Sequence, residues 1–200
     1  MLLVIDSATA ACSVALIEDG AAIDERHEIL GRGHAERLLP MIEELLAGRR
    51  PGGILVDCGP GSFTGVRVGV AAAHGLAIGW RIPLGGYSST AAIAAAAADE
   101  REVAVALQGG HGQLFVQSFK NGPLAPTDEL RSLPPAEAAA VISAGLVLGS
   151  GAESLVRARG HGRAVDALPW AWDAALLPAA MRSLPARPIY GRAPDAKPMQ

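Results

Sequence analysis

The hydrophobic residues of the first half of the chain fall into short runs, each closed by a polar or glycine-rich turn. Short apolar or alternating runs are typical of strands, whereas apolar residues three and four positions apart predict a helix with one buried face. Leu38, Ile42 and Leu45 follow the helical spacing, with Pro40 at the first regular turn or at a kink. The expected elements are strands at 2–5, 12–17, 21–29, 54–56 and 83–87 and helices at 34–46, 63–78 and 91–98.

The second half repeats this order in a shorter form after a charged break at 99–102, without obvious sequence identity to the first half. We therefore expect two similarly built lobes, one at 1–99 and a second, reduced lobe at 100–200 that ends in a proline-rich tail. The elements expected there are strands at 103–107, 114–119 and 146–148, an extended stretch at 124–133, helices at 135–143 and 152–159, a helical stretch at 172–184 interrupted by Pro178, and an extended tail at 185–198.

Composition narrows the class of protein. Half of the 200 residues are hydrophobic and the net charge is only −3, which excludes a disordered chain and allows a sizeable core. The 17 Lys and Arg residues are outnumbered by 20 Asp and Glu and form no long run, so direct, sequence-independent binding of nucleic acid is not expected.

The sequence also predicts a cytoplasmic protein without membrane contact. The apolar run at 2–5 ends at Asp6 and has no positive region before it, unlike a signal peptide. The longest candidate for a membrane span, 68–80, is too short to cross a bilayer and carries His74 and three glycines. Cys12 and Cys58 are isolated in the sequence, which favours free thiols in a reducing compartment over a disulfide.

Three motifs in the first half carry a family resemblance: IDSATAACSVAL beginning at Ile5, HAERLLPMI beginning at His34, and GPGSFTGVR beginning at Gly59. Together they resemble the TsaB (YeaZ) family of the actin-like ATPase superfamily. The resemblance fades in the second half and returns at residues 188–190 and at Arg192. It implies an α/β, two-lobed actin-like ATPase (ASKHA, ribonuclease-H-like) fold with mixed sheets flanked by helices.

The resemblance further implies a non-catalytic partner required for threonylcarbamoyladenosine modification of tRNA. Such a protein docks onto and stabilises the catalytic TsaD paralogue as a heterodimer, is joined by the TsaE ATPase, contacts tRNA only indirectly, and can form a homodimer when alone. No cofactor is expected on the chain itself, with ATP or ADP bound only within the complex. The family's usual Asp-Ala-Arg is missing: this chain has LQGGHGQ from Leu107.

Asp6, Ser7 and Thr9 are the candidates for a vestigial phosphate loop. An actin-like ATPase places an aspartate at a strand end near Mg²⁺ and cradles phosphate with backbone N–H groups. Alanines stand here where a close backbone approach favours glycine, so the other interpretation is an ordinary strand end with a turn-stabilising aspartate. The rival enzyme hypothesis is an ATP-dependent phosphotransferase.

No catalytic residue and no metal site are expected. His34 resembles the first histidine of the catalytic paralogue's metal pair, but the position four residues later is Leu38. His34 is therefore interpreted as a helix-start residue with an exposed polar tip. A metallopeptidase is the further alternative, and the spacing of the histidines does not favour it.

The helix after the GPGSFTGVR motif carries small residues at every fourth position, Gly65, Gly69, Ala73 and Ala77. They share one face and allow another backbone to approach, either within the lobe or from a partner. The resemblance favours the partner, and Ser62 or Thr64 is expected to cap this helix. Arg67 either meets a partner carboxylate or is solvated. The candidate interface residues are His34, Leu38, Ile42, Gly65, Val66, Arg67, Gly69, Val70 and Ala73.

Overall fold

The computed structural model describes residues 1–191, so Arg192 and the last positions of the expected extended tail lie outside the described residues. The strands are β1 Leu2–Asp6, β2 Ala11–Glu18, β3 Ala21–Ile29, β4 Gly53–Asp57, β5 Leu84–Tyr87, β6 Glu102–Gln108, β7 Leu114–Lys120, β8 Ala125–Pro126, β9 Arg131–Leu133, β10 Leu146–Leu148 and β11 Arg163–Val165. The helices are α1 His34–Leu46, α2 Phe63–Trp80, α3 Ser89–Ala95, α4 Pro135–Val141 and α5 Ala152–Arg159.

Two mixed sheets have the same strand order. The first runs β3-β2-β1-β4-β5, with β1, β2 and β3 antiparallel and β4 and β5 parallel to β1. The second runs β11-β10-β6-β7-β8, with β9 also paired to β7, and repeats this pattern around β6. The duplicated order confirms the expected actin-like, ribonuclease-H-like fold.

The strands at the centre of the molecule are apolar and are buried on both faces of the sheet. One face of the first sheet packs under α1 and α2, where Leu3, Ile5 and Val14 meet the buried sides of both helices. The opposite face packs on α3, which also contacts β6 and β7 of the second sheet. The alanine-rich α3 is therefore buried between the two sheets, and its small side chains allow both to approach.

The chain returns to the first sheet after β11. The backbone N–H of Ala171 donates to Ser13 Oγ at 2.9 Å, and Leu184 forms a β-bridge with Gly86 of the edge strand β5. The stretch expected to be helical at 172–184 consists of two 3₁₀ turns, Ala171–Leu176 and Ala179–Arg182, separated at Pro178 because proline donates no hydrogen bond.

Two other expectations need adjustment. The extended stretch at 124–133 is broken into the short strands β8 and β9, which pair with different parts of β7. Helix α3 begins two residues earlier and ends three residues earlier than the pattern indicated. Among residues 1–191, none of the helices combines the length and apolarity needed to span a membrane.

Candidate functional site

The predicted small-residue face of α2 points into the first lobe. Gly65, Gly69, Ala73 and Ala77 are all buried. A Cβ at Gly65 would collide with the carbonyl oxygen of Ser7, and one at Gly69 would lie 2.5 Å from Ser7 Oγ. The absence of side chains at these two glycines lets α2 lie directly against the β1–β2 hairpin, so the within-lobe interpretation of this face is the one that the packing gives.

The predicted apolar anchors are also part of the chain's own core. Leu38, Ile42, Val66 and Val70 each retain at most 8% exposure and pack on the first sheet. The chain's own first sheet covers these side chains, so they offer no exposed surface to a partner in this structure. Only Arg67 among the predicted interface residues is exposed.

His34 differs from its expected environment. It is 8% exposed, and its Nε2 atom lies 3.2 Å from the carbonyl oxygen of Ala11 at the start of β2. The imidazole therefore joins the beginning of α1 to the sheet, and the expected exposed tip is wrong. Among the described residues, no three His, Cys, Asp or Glu side chains are grouped as metal ligands.

The opposite side of α2 forms a second row of small residues, which we call the outer face. Arg67, Ala71, Gly75 and Gly79 recur at every fourth position and are all exposed. A Cβ built at Gly75 or at Gly79 would meet nothing within 4 Å. Ile78, at 76% exposure, lies between these glycines, and the adjoining helix α1 exposes Leu39 at 51%. The outer face is thus apolar, small and uncovered.

The hairpin at 6–9 is packed against the start of α2. Ser62 N–H donates to the carbonyl of Ala8 at 2.6 Å, and Ser7 Oγ donates to the carbonyl of Gly65 at 2.9 Å. Ala8 N–H donates to Asp6 Oδ1 at 3.2 Å. These polar groups are engaged with protein atoms, which matches the strand-end interpretation of Asp6. Thr9 lines a shallow cleft between the lobes together with Ala10, Gln108, Ser150 and Leu168.

The expected cap of α2 is confirmed. Ser62 Oγ accepts a hydrogen bond from Gly65 N–H at 3.3 Å, which satisfies one of the free N–H groups at the helix start. The GPGSFTGVR segment is therefore a tight turn that leads into a capped helix.

A buried pair of carboxyl groups, Asp6 and Asp57, lies beneath this hairpin. Asp57 Oδ1 accepts from Gly59 N–H at 2.7 Å and its Oδ2 from Ser89 Oγ at 2.6 Å. Asp6 Oδ2 accepts from the Tyr87 hydroxyl at 3.2 Å. Asp6 has no exposure and Asp57 has 1%.

Within the part of the chain that the structure describes, neither carboxyl group forms an ion pair with a Lys, Arg or His side chain. Burial, followed by the negative charge of Asp57, raises the pKa of Asp6 well above its usual range. Burial likewise raises the pKa of Asp57 to about 6, against hydrogen bonds from Asp6 and Ser89 that lower it. Both shifts favour a proton held by this carboxyl pair, which is buried away from solvent.

Sequence analysis did not select Asp57, although a signal was available. Asp57 ends an apolar strand as Asp6 does, and the carboxyl ends of parallel neighbours meet at one edge of a sheet. The pairing of β1 with β4 is what brings the two acids together.

Arg67 lies in an aromatic cluster at the start of α2. Its guanidinium carbon lies 3.6 Å from the centroid of the Phe63 ring, and its Nε and Nη2 atoms donate to the Tyr190 hydroxyl at 3.2 and 3.0 Å. Phe63 is 60% exposed and Tyr190 51%. Sequence analysis had no means to place Tyr190 here, because this contact joins residues 123 positions apart.

Both cysteines are free and buried, as the sequence indicated. Burial raises the pKa of each thiol to about 11, so neither is a nucleophilic thiolate at neutral pH.

Comparison with known proteins places this geometry in a family. The family model of TsaD, described as tRNA N6-adenosine threonylcarbamoyltransferase, matches residues 27–125. The tRNA threonylcarbamoyladenosine biosynthesis protein TsaB of Escherichia coli strain K12 is 44% identical over 95 residues, covering 44% of this chain and 40% of that protein. TsaB of Haemophilus influenzae strain Rd is 47% identical over 103 residues, covering 48% and 42%. The matches thus span about two fifths of the length of these curated relatives.

A solved structure extends the match to nearly the whole chain. YeaZ from Pseudomonas aeruginosa superposes with a TM-score of 0.78 at 31% identity, over 94% of this chain and 98% of that chain. Both lobes, including the second lobe in which the sequence motifs fade, are therefore shared with that protein. On these grounds the chain belongs to the TsaB (YeaZ) family.

Proposed function

We propose that this chain is a non-catalytic partner in the threonylcarbamoyladenosine modification of tRNA, and that it docks onto and stabilises a catalytic TsaD paralogue. Family membership supports the process, because the E. coli and H. influenzae relatives are both named as threonylcarbamoyladenosine biosynthesis proteins. TsaE would join the pair, and tRNA would be contacted through the partner.

The observation that carries the docking proposal is the outer face of α2. A glycine inside a helix costs about 1 kcal/mol relative to alanine. Gly65 and Gly69 are explained by close packing within the lobe, but Gly75 and Gly79 contact nothing that would explain them. An approaching helix of a partner supplies the reason, since small residues allow two backbones to pack closely. Ile78 and Leu39 would then be buried at the interface.

Two features support the absence of catalysis by this chain alone. In the hairpin that would cradle phosphate, Asp6 Oδ1 occupies the N–H of Ala8, and the Ala8 carbonyl and Ser7 Oγ are hydrogen-bonded to the start of α2. The acidic pair Asp6 and Asp57 lies below it without solvent access. The reacting groups would accordingly come from the partner.

The test is a substitution that blocks docking without harming the fold. Gly75→Leu places a large side chain on the outer face, where the chain itself has room, and it improves helix propensity. We expect this variant to be at least as stable as the wild type, yet to bind the purified TsaD paralogue of the same organism at least about tenfold more weakly, a loss of about 1.4 kcal/mol.

Ala158→Leu is the matched control, because Ala158 is an exposed helical alanine in α5 of the second lobe. It should bind like the wild type in calorimetry and support modification in a reconstituted assay. Full-strength binding and full modification by Gly75→Leu would refute the proposed docking face.

The same face would also pair two copies of the chain when the partner is absent. An exposed apolar patch tends to be covered by a second molecule. Sedimentation of the isolated chain should therefore show a concentration-dependent dimer, and Gly75→Leu should shift it to the monomer. A dimer that persists in this variant would place the self-association elsewhere.

A further inference from the structure

We infer that Arg67, Phe63 and Tyr190 form the polar end of the docking face and bind a carboxylate side chain of the partner protein. This inference rests on the proposed function and adds the chemistry that the partner must present. It also gives the C-terminal segment, residues 184–191, a role in docking, since that segment supplies Tyr190.

The position of Arg67 connects it to the outer face of α2. Arg67 precedes Ala71 by one turn in the same row of every fourth residue, so a helix lying along that row would reach the guanidinium. Arginine and tyrosine are the residue types that most often carry binding energy at protein interfaces, where neighbouring side chains exclude water. Phe63 and Tyr190 provide such neighbours, with ring centroids 6.0 Å apart and both rings largely exposed.

The C-terminal segment fixes this cluster in place before any partner arrives. Ile189 N–H donates to the carbonyl of Cys58 at 2.7 Å, and His74 Nε2 lies 2.8 Å from the carbonyl oxygen of Ala186. These contacts attach the residues that precede Tyr190 to α2 and to the position directly after β4. A pre-positioned arginine loses less side-chain entropy on binding, which increases the affinity that each contact yields.

The unpaired charge and the free hydrogen-bond donor of Arg67 indicate that its ligand is a carboxylate. Within residues 1–191 the guanidinium makes no ion pair, and its Nη1 atom has no hydrogen-bond partner. Its positive charge lies near the N-terminus of α2, where the helix dipole disfavours a cation. A carboxylate accepting two parallel hydrogen bonds from a guanidinium would satisfy both needs.

A protein partner fits this surface better than nucleic acid. The residues that continue the row from Arg67 are apolar and small, and the adjoining helix α1 exposes Glu36 and Glu43. Phosphate binding by a duplex or a folded RNA requires several lysines or arginines together, and exposed glutamates repel it. One arginine beside an apolar row matches a helix that carries an aspartate or a glutamate.

The experiment measures binding of the purified TsaD paralogue to the full chain by calorimetry, at about 50 mM and about 500 mM NaCl. We expect Arg67→Met to weaken binding about tenfold and to flatten its salt dependence, because a charge-assisted hydrogen bond is lost. Arg67→Lys should fall between the two. Tyr190→Ala should weaken binding several-fold through loss of the positioned guanidinium. Arg131→Met, at an exposed arginine in β9, is the matched control and should bind like the wild type.

The outcomes separate this inference from the proposed function. If Arg67→Met binds with wild-type affinity and salt dependence while Gly75→Leu does not, the carboxylate contact is refuted and the docking face stands. If both variants bind normally, both proposals fail. If Arg67→Met leaves paralogue binding intact but removes binding of labelled tRNA to the chain, the ligand is a phosphate backbone and the inference is overturned. Thermal unfolding of each variant verifies that the fold is unchanged.

Discussion

Replacing Asp57 by asparagine gives a direct test of the buried carboxyl pair. Asparagine has nearly the same shape, keeps an oxygen that can accept from Gly59 N–H, and offers an N–H to the hydroxyl of Ser89. It cannot ionise. The variant should therefore resemble the wild type when the Asp57 carboxyl is protonated, and should differ from it when that carboxyl carries a charge.

The sign and size of the effect follow from the raised pKa of Asp57. The unfolded chain releases this proton near pH 3.9, whereas the folded chain retains it up to about pH 6. Between these values the folded state binds more protons, so wild-type stability falls as the pH rises. A pKa difference of about 2 corresponds to about 3 kcal/mol, which Asp57→Asn should recover between pH 4 and pH 7. Asp6 is present in both proteins, but removal of the Asp57 charge lowers the Asp6 pKa in the variant, so the contribution of Asp6 acts in the same direction as that of Asp57.

Urea unfolding followed by tryptophan fluorescence, repeated across this pH range, measures the difference. Asp57→Asn should lie within about 1 kcal/mol of the wild type near pH 4 and should exceed it near pH 7, by roughly 6–12 °C in Tm. Asp24→Asn is the control: the arginines Arg49 and Arg26 lower the pKa of Asp24, so its difference from wild type should be constant above about pH 5. A difference curve for Asp57→Asn that stays flat or falls with pH would refute the shared-proton description.

Three further outcomes follow from the packing. Gly69→Leu should prevent folding, measured as loss of cooperative unfolding in circular dichroism, whereas Gly79→Leu on the outer face should leave stability unchanged or raised. Cys12 and Cys58 should react with iodoacetamide only after denaturant is added, and fast labelling of the native chain would contradict their burial. Leu39→Ala should change unfolding free energy by less than about 0.5 kcal/mol but reduce paralogue affinity; an unchanged affinity would remove α1 from the docking face.

The fold could be predicted from the sequence because its elements are locally encoded. The apolar strands, the glycine-rich turns and the motif beginning at Gly59 each form the element that their local sequence predicts. The repeated order of these elements along the chain predicts the duplicated strand order of the two sheets. The short strands β8 and β9 and the 3₁₀ turns at 171–182 were harder to predict from the sequence. Their boundaries depend on pairing with β7 and β2, which lies outside any local pattern.

The candidate site could be predicted only in part, because α2 has small residues on two sides. Periodicity identifies Gly65 and Gly69 as one row, and Gly75 and Gly79 belong to another, yet neither row reveals which one faces the sheet. The rotation of the helix decides this, and that rotation is set by the contact with the Ser7 hairpin. Sequence analysis placed docking on the row that contains Gly65 and Gly69, which packs on the Ser7 hairpin, and docking on the other row is our proposal. The aromatic cluster around Arg67 could not be predicted from local sequence either, because Tyr190 lies 123 positions further along the chain.

The small-residue row of α2 that faces the sheet (Gly65, Gly69, Ala73 and Ala77), which we call the inner row, and the outer face are coupled because both lie on one helix. The inner row lets the helix lie directly on the hairpin at 6–9, where Ser62 N–H donates to the carbonyl of Ala8 and Ser7 Oγ donates to the carbonyl of Gly65. A bulkier inner row would lift the helix from the hairpin and would displace the outer row with it. The position of the outer face is therefore fixed by the contact of α2 with the hairpin, because one rigid helix carries both rows. Gly65→Ala adds the smallest side chain that would collide with the Ser7 carbonyl oxygen, and in a variant that still unfolds cooperatively it should weaken partner binding without any change on the outer face itself. Wild-type affinity in such a folded variant would refute the coupling of the hairpin contact and docking through α2.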